Sequence, residues 1–423
     1  MTPPRSIISI ATTLFSRRML ITLVMGFASG LPLLLTGSVL QAWMTDEGVD
    51  LTTIGLFAMV GLPYTLKFLW APMLDRYTPV LLGRRRGWLL IAQICLILSI
   101  LLLSLSRPAE SVIGVGFAAL LLTFFSATQD VVIDAYRRES LADSELGLGA
   151  SLYVNGYRVG MLLASGGGLI LADIISFSQV YQIMAVIMLV GVLTTIFAPE
   201  PEDPAGRPRS LREAVIDPFL EYFNRQDALL ILFFILLYKV GDTMASHMST
   251  PFYLDIGFSK SEIGTVVKLF GFWATIAGGF IGGLLLLRIG IYKGLWIFGV
   301  LQGLSTAGFA LLAILGHNLG GLAAVIIFEN LSSGMGTAAY VAFMASLTNK
   351  RFTATQYALL SSFMGIPRVI VASPTGLMAD TMGWVSFFIF CALIALPGLL
   401  LLRWLQNRGL DQCLQTRSEG GVA

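Results

Sequence analysis

The sequence predicts an all-α membrane protein with twelve transmembrane helices in two pseudo-symmetric six-helix lobes. Three observations predict this fold: the composition, the spacing of the apolar runs and the distribution of basic residues. Of the 423 residues, 56% are hydrophobic and 12% are charged, whereas soluble chains carry about 25% charged residues. Such an apolar surface needs a lipid bilayer as its partner, so the composition excludes a soluble globular protein.

Twelve apolar runs bounded by charge, Gly or Pro are each long enough to cross a bilayer, which takes about 20 residues. They cover residues 19–41, 52–74, 87–106, 111–136, 146–171, 178–198, 228–254, 261–287, 292–315, 320–347, 354–379 and 384–405. We therefore expect one lobe over 1–198, a linker over 199–226, a second lobe over 227–405 and a tail over 406–423.

The basic residues are distributed unevenly between the two sides of the predicted membrane. Twenty lie on the side of the N-terminus, two (Arg107 and Lys260) lie on the other side, and five lie within spans. The twenty are Arg5, Arg17, Arg18, Arg76, Arg84, Arg85, Arg86, Arg137, Arg138, Arg207, Arg209, Arg212, Arg225, Arg288, Lys293, Lys350, Arg351, Arg403, Arg408 and Arg417. Because cytoplasmic loops are rich in Lys and Arg, we expect both termini in the cytoplasm. The net charge of +2 predicts no nucleic-acid partner.

The linker begins with a proline-rich stretch and continues with Ser210 and Glu213, the spacing of a helix capping box. An amphipathic run follows, which predicts a short helix on the cytoplasmic surface. The two halves also resemble each other at an offset of 210 residues, where Ser151 meets Ser361 and Arg158 meets Arg368. Two similar six-helix halves are typical of secondary transporters, which bind their substrate between the lobes.

Ionisable residues inside the spans indicate where transport chemistry could occur, because each costs at least about 2.5–3.5 kcal/mol at the bilayer centre. The sequence has nine: Lys67, Asp130, Asp134, Arg158, Lys239, Asp242, Lys268, Glu329 and Arg368. Five are basic and four are acidic, so we expect most of them to be paired.

Asp130 and Asp134 are four residues apart and therefore share one face of the fourth predicted helix. Asp130 lies nearer the middle of the span and is the first candidate for a group that binds and releases a proton. Alternatively, Asp134 pairs with Arg137, Arg138 or Arg158, and Asp130 bonds to its helix neighbours.

Lys239 and Asp242 are three residues apart and adjacent on one helix face. Lys239 could receive a substrate carboxylate when Asp242 takes up a proton, or the pair could neutralise itself and orient the helix. Arg158 and Arg368 present guanidinium groups suited to carboxylates, with pairing to acids of the fourth or tenth helix as the alternative.

Other polar side chains within the spans could hydrogen-bond a sugar or an amide. They are Gln41, Gln129, Glu329 and Asn330. Trp43 could stack on a sugar ring, or it could anchor the helix at the membrane surface. Gly26 to Gly30, Gly156 to Gly160, Gly278 to Gly283 and Gly334 to Gly336 predict close helix crossings.

Features of an enzyme or a metal centre are missing from the sequence. The two histidines, His247 and His317, lack metal-ligand spacing, and the three cysteines form no CxxC pair. No glycine-rich segment is followed by GK[ST], so ATP hydrolysis is not expected. We expect neither a catalytic residue nor a cofactor nor a metal.

A cluster of charge lies between the second and third predicted helices. It contains Asp75, Arg76, Arg84, Arg85 and Arg86. An acid at a helix end followed by arginines could act as a gate that holds the lobes together on the cytoplasmic side. The arginines could equally set the topology.

This segment is similar to the loop motif of the major facilitator superfamily, G-x-x-x-D-R-x-G-R-R, although six residues separate Arg76 from Gly83 where the usual motif has one. A narrower set of segments resembles the AmpG muropeptide permeases. They are Gly26–Pro32, Leu40–Met44, Asp75–Pro79, Gly83–Trp88, Ser126–Asp130, Tyr238–Asp242, Phe328–Asn330 and Gly334–Ala339.

The resemblance covers about residues 19–405 and implies a proton-driven importer in the bacterial inner membrane. Its partners would be protons and an amino-sugar peptide, N-acetylglucosaminyl-anhydro-N-acetylmuramic acid with or without peptide. The products would feed peptidoglycan recycling and, in some bacteria, β-lactamase induction, and we expect a monomer. The alternatives are a carrier of another anionic ligand such as acetyl-CoA, and a membrane sensor of wall fragments.

Overall fold

The computed structural model describes residues 13–202, 210–259, 262–370 and 374–408, and every regular element in these ranges is helical. The predicted tail over 406–423 lies outside the described residues beyond Arg408.

The first lobe contains six consecutive helical segments. They are α1 (Arg17–Asp46), α2 (five short pieces, Leu51–Leu56, Phe57–Gly61, Leu62–Leu66, Lys67–Leu69 and Ala71–Arg76), α3 (Arg84–Ser104), α4 (Val112–Ser140), α5 (Leu146–Leu162, Leu163–Gly167 and Gly168–Ala172) and α6 (Phe177–Phe197). Prolines at the first turns of two α2 pieces, Pro63 and Pro72, and tighter 3₁₀ turns between the pieces break this segment.

The second lobe repeats the plan. Its helices are α7 (Ala228–Asp255), α8 (Ile263–Ile289), α9 (Ile291–Leu315), α10 (Leu319–Leu347), α11 (Thr353–Ile370 and Thr375–Met382) and α12 (Trp384–Asn407). Within the described ranges, nine helices are long and apolar enough to cross a membrane, namely α1, α3, α4, α6 to α10 and α12. Because α2, α5 and α11 consist of shorter pieces, the count of twelve spans stays a prediction.

The linker folds into two short helices, Leu211–Val215 and Asp217–Phe223, where the sequence predicts one. Pro218 lies in the first turn of the second helix, where its missing N–H does no harm. The predicted capping box at the start of the first helix is confirmed, since the Ser210 hydroxyl accepts a 3.0 Å hydrogen bond from the Glu213 amide. Glu213 in turn forms an ion pair with Arg351 of the second lobe.

Glycines bring α1 and α5 into backbone contact, as the sequence predicts. A Cβ atom added to Gly30 would lie 2.0 Å from the Tyr157 carbonyl oxygen, and one added to Gly156 would lie 2.1 Å from that of Leu23. Helices α8 and α10 cross as closely, because a Cβ atom on Gly278 would lie 2.2 Å from the Leu331 carbonyl oxygen. Only residues without a side chain allow these helices to approach so closely.

The two lobes pack together at one end of the bundle. We call it the arginine-rich end, defined by Arg76, Arg84 to Arg86, Arg137 and Arg138. At this end a single apolar cluster joins residues of both lobes, such as Val132 and Leu148 with Phe343 and Leu360. At the opposite end each lobe has its own core cluster, one around Tyr181 and Leu122 and the other around Phe252 and Phe388. The bundle is therefore closed at the arginine-rich end and divided at the opposite end.

Candidate functional site

The first lobe buries Asp130 at a junction of three helices. The Ser29 hydroxyl of α1 donates a hydrogen bond to the Asp130 carboxylate of α4 and also lies 3.1 Å from the Tyr153 hydroxyl of α5. Asp130 is 6% exposed, and it interacts electrostatically with Lys67 of α2. Gln129, the neighbour of Asp130, donates a 2.9 Å hydrogen bond to the Ala28 carbonyl of α1. Asp130 thus contacts the other helices as well as its own, contrary to the alternative in which it bonds to helix neighbours alone.

Asp134 lies one turn nearer the arginine-rich end and participates in a contact between the lobes. Arg137 donates to the Asp134 carboxylate at 3.2 Å and to the Tyr357 hydroxyl of α11 at 3.0 Å. The same guanidinium lies over the rings of Tyr153 and Tyr357, 5.1 and 5.6 Å from their centres. The structure therefore contains the predicted pairing of Asp134 with Arg137 and extends it to the second lobe.

The second lobe has its own buried charged cluster, at a break in α7. The helix stops at Tyr238 and resumes at Val240, with Lys239 between the two halves. Lys239 donates to Asp242 at 3.1 Å, as the sequence predicts, and to the Gln302 amide oxygen of α9 at 3.3 Å. Interrupted helices form the substrate and ion sites of many secondary transporters, because the break exposes backbone groups and a helix N-terminus.

Glu329 of α10 belongs to the same cluster. Its carboxyl group accepts a 2.5 Å hydrogen bond from Ser305 of α9 and lies within hydrogen-bonding reach of Asp242. The adjacent Asn330 faces α8 instead, where its side-chain oxygen accepts from Thr275 at 2.6 Å.

Three side chains of α5 join the lobes by hydrogen bonds to the backbone of α8. Ser151, Asn155 and Arg158 donate to the carbonyls of Gly279, Ile276 and Thr275 at 2.5, 3.1 and 3.2 Å. Arg158 also interacts electrostatically with Asp242, an acid of α7, where the sequence suggested acids of the fourth or tenth helix. Arg158 thus connects the interface between the lobes to the charged cluster of the second lobe.

A cavity of about 340 Å³ lies against this cluster. Asp242, Thr243, Ser246 and His247 line it, and all four belong to the half of α7 that leads towards the divided end of the bundle. A polar ligand can therefore approach the Lys239–Asp242 pair from that end.

Two predicted substrate-binding residues lie away from both clusters. Trp43 is 5% exposed and packs in the core of the first lobe, with its ring 5.9 Å from Phe177 and 5.4 Å from Tyr181. Gln41 is exposed on α1. The side chain of Arg368 lies outside the described residues, so its predicted role stays a prediction, as do those of Trp43 and Gln41.

At the arginine-rich end, Asp75 connects the lobes directly. Its carboxylate accepts hydrogen bonds from the backbone amides of Ala354 and Thr355 at 3.1 and 2.8 Å, which are at the start of α11. The Arg85 guanidinium contacts the same carboxylate at 2.7 Å and also pairs with Glu139 of α4. Asp75 thus acts as an N-terminal cap for a helix of the other lobe, where a negative charge is favourable.

The other residues of the predicted gate support α2 and α3. Arg84 donates to the Asp75 carbonyl at 3.3 Å and to Glu139 at 3.4 Å. Arg86 donates to the Thr195 carbonyl of α6 at 3.0 Å, while Arg76 lies over the ring of Tyr77. These three arginines bond within the first lobe in the described contacts, so Asp75 makes the contact to the second lobe.

Several residues at these sites were not singled out from the sequence. Ser29, Tyr153 and Tyr357 are neutral and are distant in sequence from the acids they contact. Glu139 follows Arg137 and Arg138 at the end of α4, and a carboxylate beside such a cluster was a signal that could have been used.

Known proteins similar to this chain are all membrane carriers. The sequence profile of the Major Facilitator Superfamily matches residues 19–372. The anhydromuropeptide permease of Escherichia coli K12 is 45% identical over 387 residues, which cover 91% of this chain and 79% of that protein. Among solved structures, the E. coli fucose:proton symporter FucP aligns with a TM-score of 0.71 at 13% identity, covering 94% of this chain and 98% of that one. The proton:xylose symporter XylE aligns with a TM-score of 0.68 at 10% identity, covering 92% and 95%.

Proposed function

The chain belongs to the major facilitator superfamily and, within it, to the family of the anhydromuropeptide permeases, and from this premise we propose that it imports anhydromuropeptides together with protons. It is a multi-pass membrane transporter and not an enzyme. The observation that carries the substrate class is the 45% identity to the E. coli permease over nearly the whole chain.

In this proposal the protein resides in the bacterial inner membrane with its arginine-rich end in the cytoplasm. The excess of Lys and Arg on that side supports the orientation. The divided end then faces the periplasm, and the cavity beside Asp242 is open to incoming substrate.

Lys239 and Arg158 attract a carboxylate of the substrate. The break in α7 exposes Lys239 to the cavity, and its side chain is 13% exposed, so a ligand can reach it. A substrate carboxylate can replace Asp242 as the partner of Lys239 because both are oxygen anions of similar geometry. The amides of Gln129 and Asn330 already hydrogen-bond within the protein and are secondary candidates for substrate contacts.

Asp130 binds the coupling proton. Protonation turns its carboxylate from an acceptor into a donor, so the Ser29 hydroxyl has to change partner. Ser29 also contacts Tyr153, whose ring lies against Arg137. Arg137 in turn bonds to Asp134 and to Tyr357 of the second lobe. A change of proton occupancy at Asp130 thereby reaches the contact between the lobes.

The proposal is tested with purified protein in liposomes. Labelled anhydromuropeptide trapped inside should exchange with unlabelled ligand outside, and the exchange needs no proton gradient. Competition by acetyl-CoA in place of the muropeptide would instead support the carrier of another anion. Binding without exchange would contradict transport and favour a sensor.

A further inference from the structure

Glu329 is a buried carboxyl group that the proposed mechanism does not use. It is 8% exposed, on α10, and its hydrogen-bond donor is the neutral Ser305 hydroxyl at 2.5 Å. Its second polar neighbour is the carboxyl group of Asp242, within hydrogen-bonding reach. Two carboxyl groups attract each other by a hydrogen bond only when one of them holds a proton.

The other neighbours determine which of the two is protonated. Asp242 accepts a hydrogen bond from the Lys239 ammonium at 3.1 Å and interacts with the Arg158 guanidinium. Both cations favour the ionised form of Asp242. Glu329 has the hydroxyls of Ser305 and Tyr253 beside it, so the proton belongs on Glu329.

The charged groups around Glu329 come from α5 and α7. They are Arg158 on α5 and Lys239 with Asp242 on α7, while α9 contributes the neutral Gln302 and Ser305. Lys268, on the stretch of α8 that packs against α10, is exposed. With Glu329 protonated, two cations and one anion leave one net positive charge. With Glu329 ionised, the cluster is neutral.

We propose that Glu329 is a second proton site, which makes the cluster of the second lobe bind one substrate carboxylate when protonated and release it when ionised. The inference rests on the proposed function and adds the link between proton and carboxylate. With the cavity open to the periplasm, the protonated cluster attracts the carboxylate. After the lobes rearrange, Glu329 loses its proton to the cytoplasm, the net positive charge disappears and the carboxylate leaves.

The first test measures the affinity for labelled anhydromuropeptide as a function of pH, in wild type, Glu329→Gln and Glu110→Gln. Glutamine keeps the shape and neutral charge of protonated Glu329. Because the ligand prefers the protonated form, wild-type affinity should fall as pH rises through the ionisation of Glu329, by about tenfold per pH unit for one linked proton. The slope of log Kd against pH should be smaller by about one in Glu329→Gln.

Glu110 is the matched control, because it is an exposed glutamate paired with Arg107 at the divided end. Glu110→Gln should keep the wild-type slope. An unchanged slope in Glu329→Gln would overturn the proposal, and retained binding in that variant excludes misfolding as the cause of a changed slope.

The second test uses infrared spectroscopy on the protein without ligand. A carbonyl band of a protonated carboxylic acid should be present in wild type and missing in Glu329→Gln. An identical set of such bands in the two proteins would overturn the assignment of the proton. Since no ligand is involved, this result still locates the proton if the protein binds no anhydromuropeptide, in which case the proposed function fails separately.

Discussion

Asp130 tests the account at the scale of a single residue. Asp130→Asn preserves the size of the side chain and an oxygen for the Ser29 hydroxyl, but the amide cannot exchange a proton. We expect accumulation driven by a pH gradient to fall by at least about tenfold, since general loss of a coupling group removes the driving force and not the binding site. Exchange of labelled for unlabelled substrate across liposomes should continue.

Asp46→Asn is the matched control, because Asp46 is exposed at the end of α1. It should accumulate substrate as wild type does. Gradient-driven accumulation at the wild-type level in Asp130→Asn would contradict the assignment of the coupling proton to this residue.

Residue-level prediction from the sequence succeeded where partners are neighbours on one helix. The pairs Lys239–Asp242 and Asp134–Arg137 follow from a spacing of three residues, and both are confirmed. The contacts of Ser29 with Asp130 and of Tyr357 with Arg137 link positions 101 and 220 residues apart. No local periodicity encodes such distant contacts, so these partners required the structure.

At the scale of elements, the crossing of α1 and α5 depends on glycines. In Gly156→Ala the new methyl group would lie 2.1 Å from the Leu23 carbonyl oxygen, and relief requires the two backbones to move apart. Overpacking of this kind costs roughly 1–3 kcal/mol. We expect a lower Tm for thermal unfolding in detergent.

Gly166→Ala is the matched control on the same helix. Its nearest contact would be the Leu162 side chain at 3.5 Å, an ordinary packing distance. Its Tm should stay at or slightly above that of wild type, because alanine orders the unfolded chain. Equal Tm values for the two variants would show that the crossing does not need Gly156.

The sequence predicted the helical elements well because apolar length and charged boundaries determine membrane spans. It did not predict the breaks within them. The interruption of α7 at Lys239 and the pieces of α2 arise where side chains from neighbouring helices replace backbone hydrogen bonds, and this compensation is tertiary. The broken segments are the ones that carry Lys67, Lys239 and Asp75.

For the whole molecule, Asp75 is expected to stabilise closure at the arginine-rich end. Asp75→Ala removes the cap of α11 and leaves Arg85 with Glu139 as its acidic partner. Loss of one partner from a buried, hydrogen-bonded ion pair costs roughly 3–5 kcal/mol, which is enough to shift a two-state equilibrium more than about 100-fold. We expect the arginine-rich end to open.

The opening can be measured by electron–electron distance spectroscopy between spin labels at Val80 and Lys350. These positions lie in connections of different lobes at the arginine-rich end. The distance distribution should move to longer values in Asp75→Ala and stay unchanged in Arg107→Ala, which removes an exposed ion pair at the other end. A wild-type distribution in Asp75→Ala would assign Asp75 a role within the first lobe alone.

The central claim is that the whole molecule imports anhydromuropeptide by using a proton gradient. The most direct measurement is uptake of labelled anhydromuropeptide into right-side-out membrane vesicles that contain the protein, with an acidic exterior. The account predicts accumulation above the external concentration that a protonophore abolishes. Accumulation that persists in the presence of the protonophore, or vesicles that take up no more ligand than those lacking the protein, would contradict it.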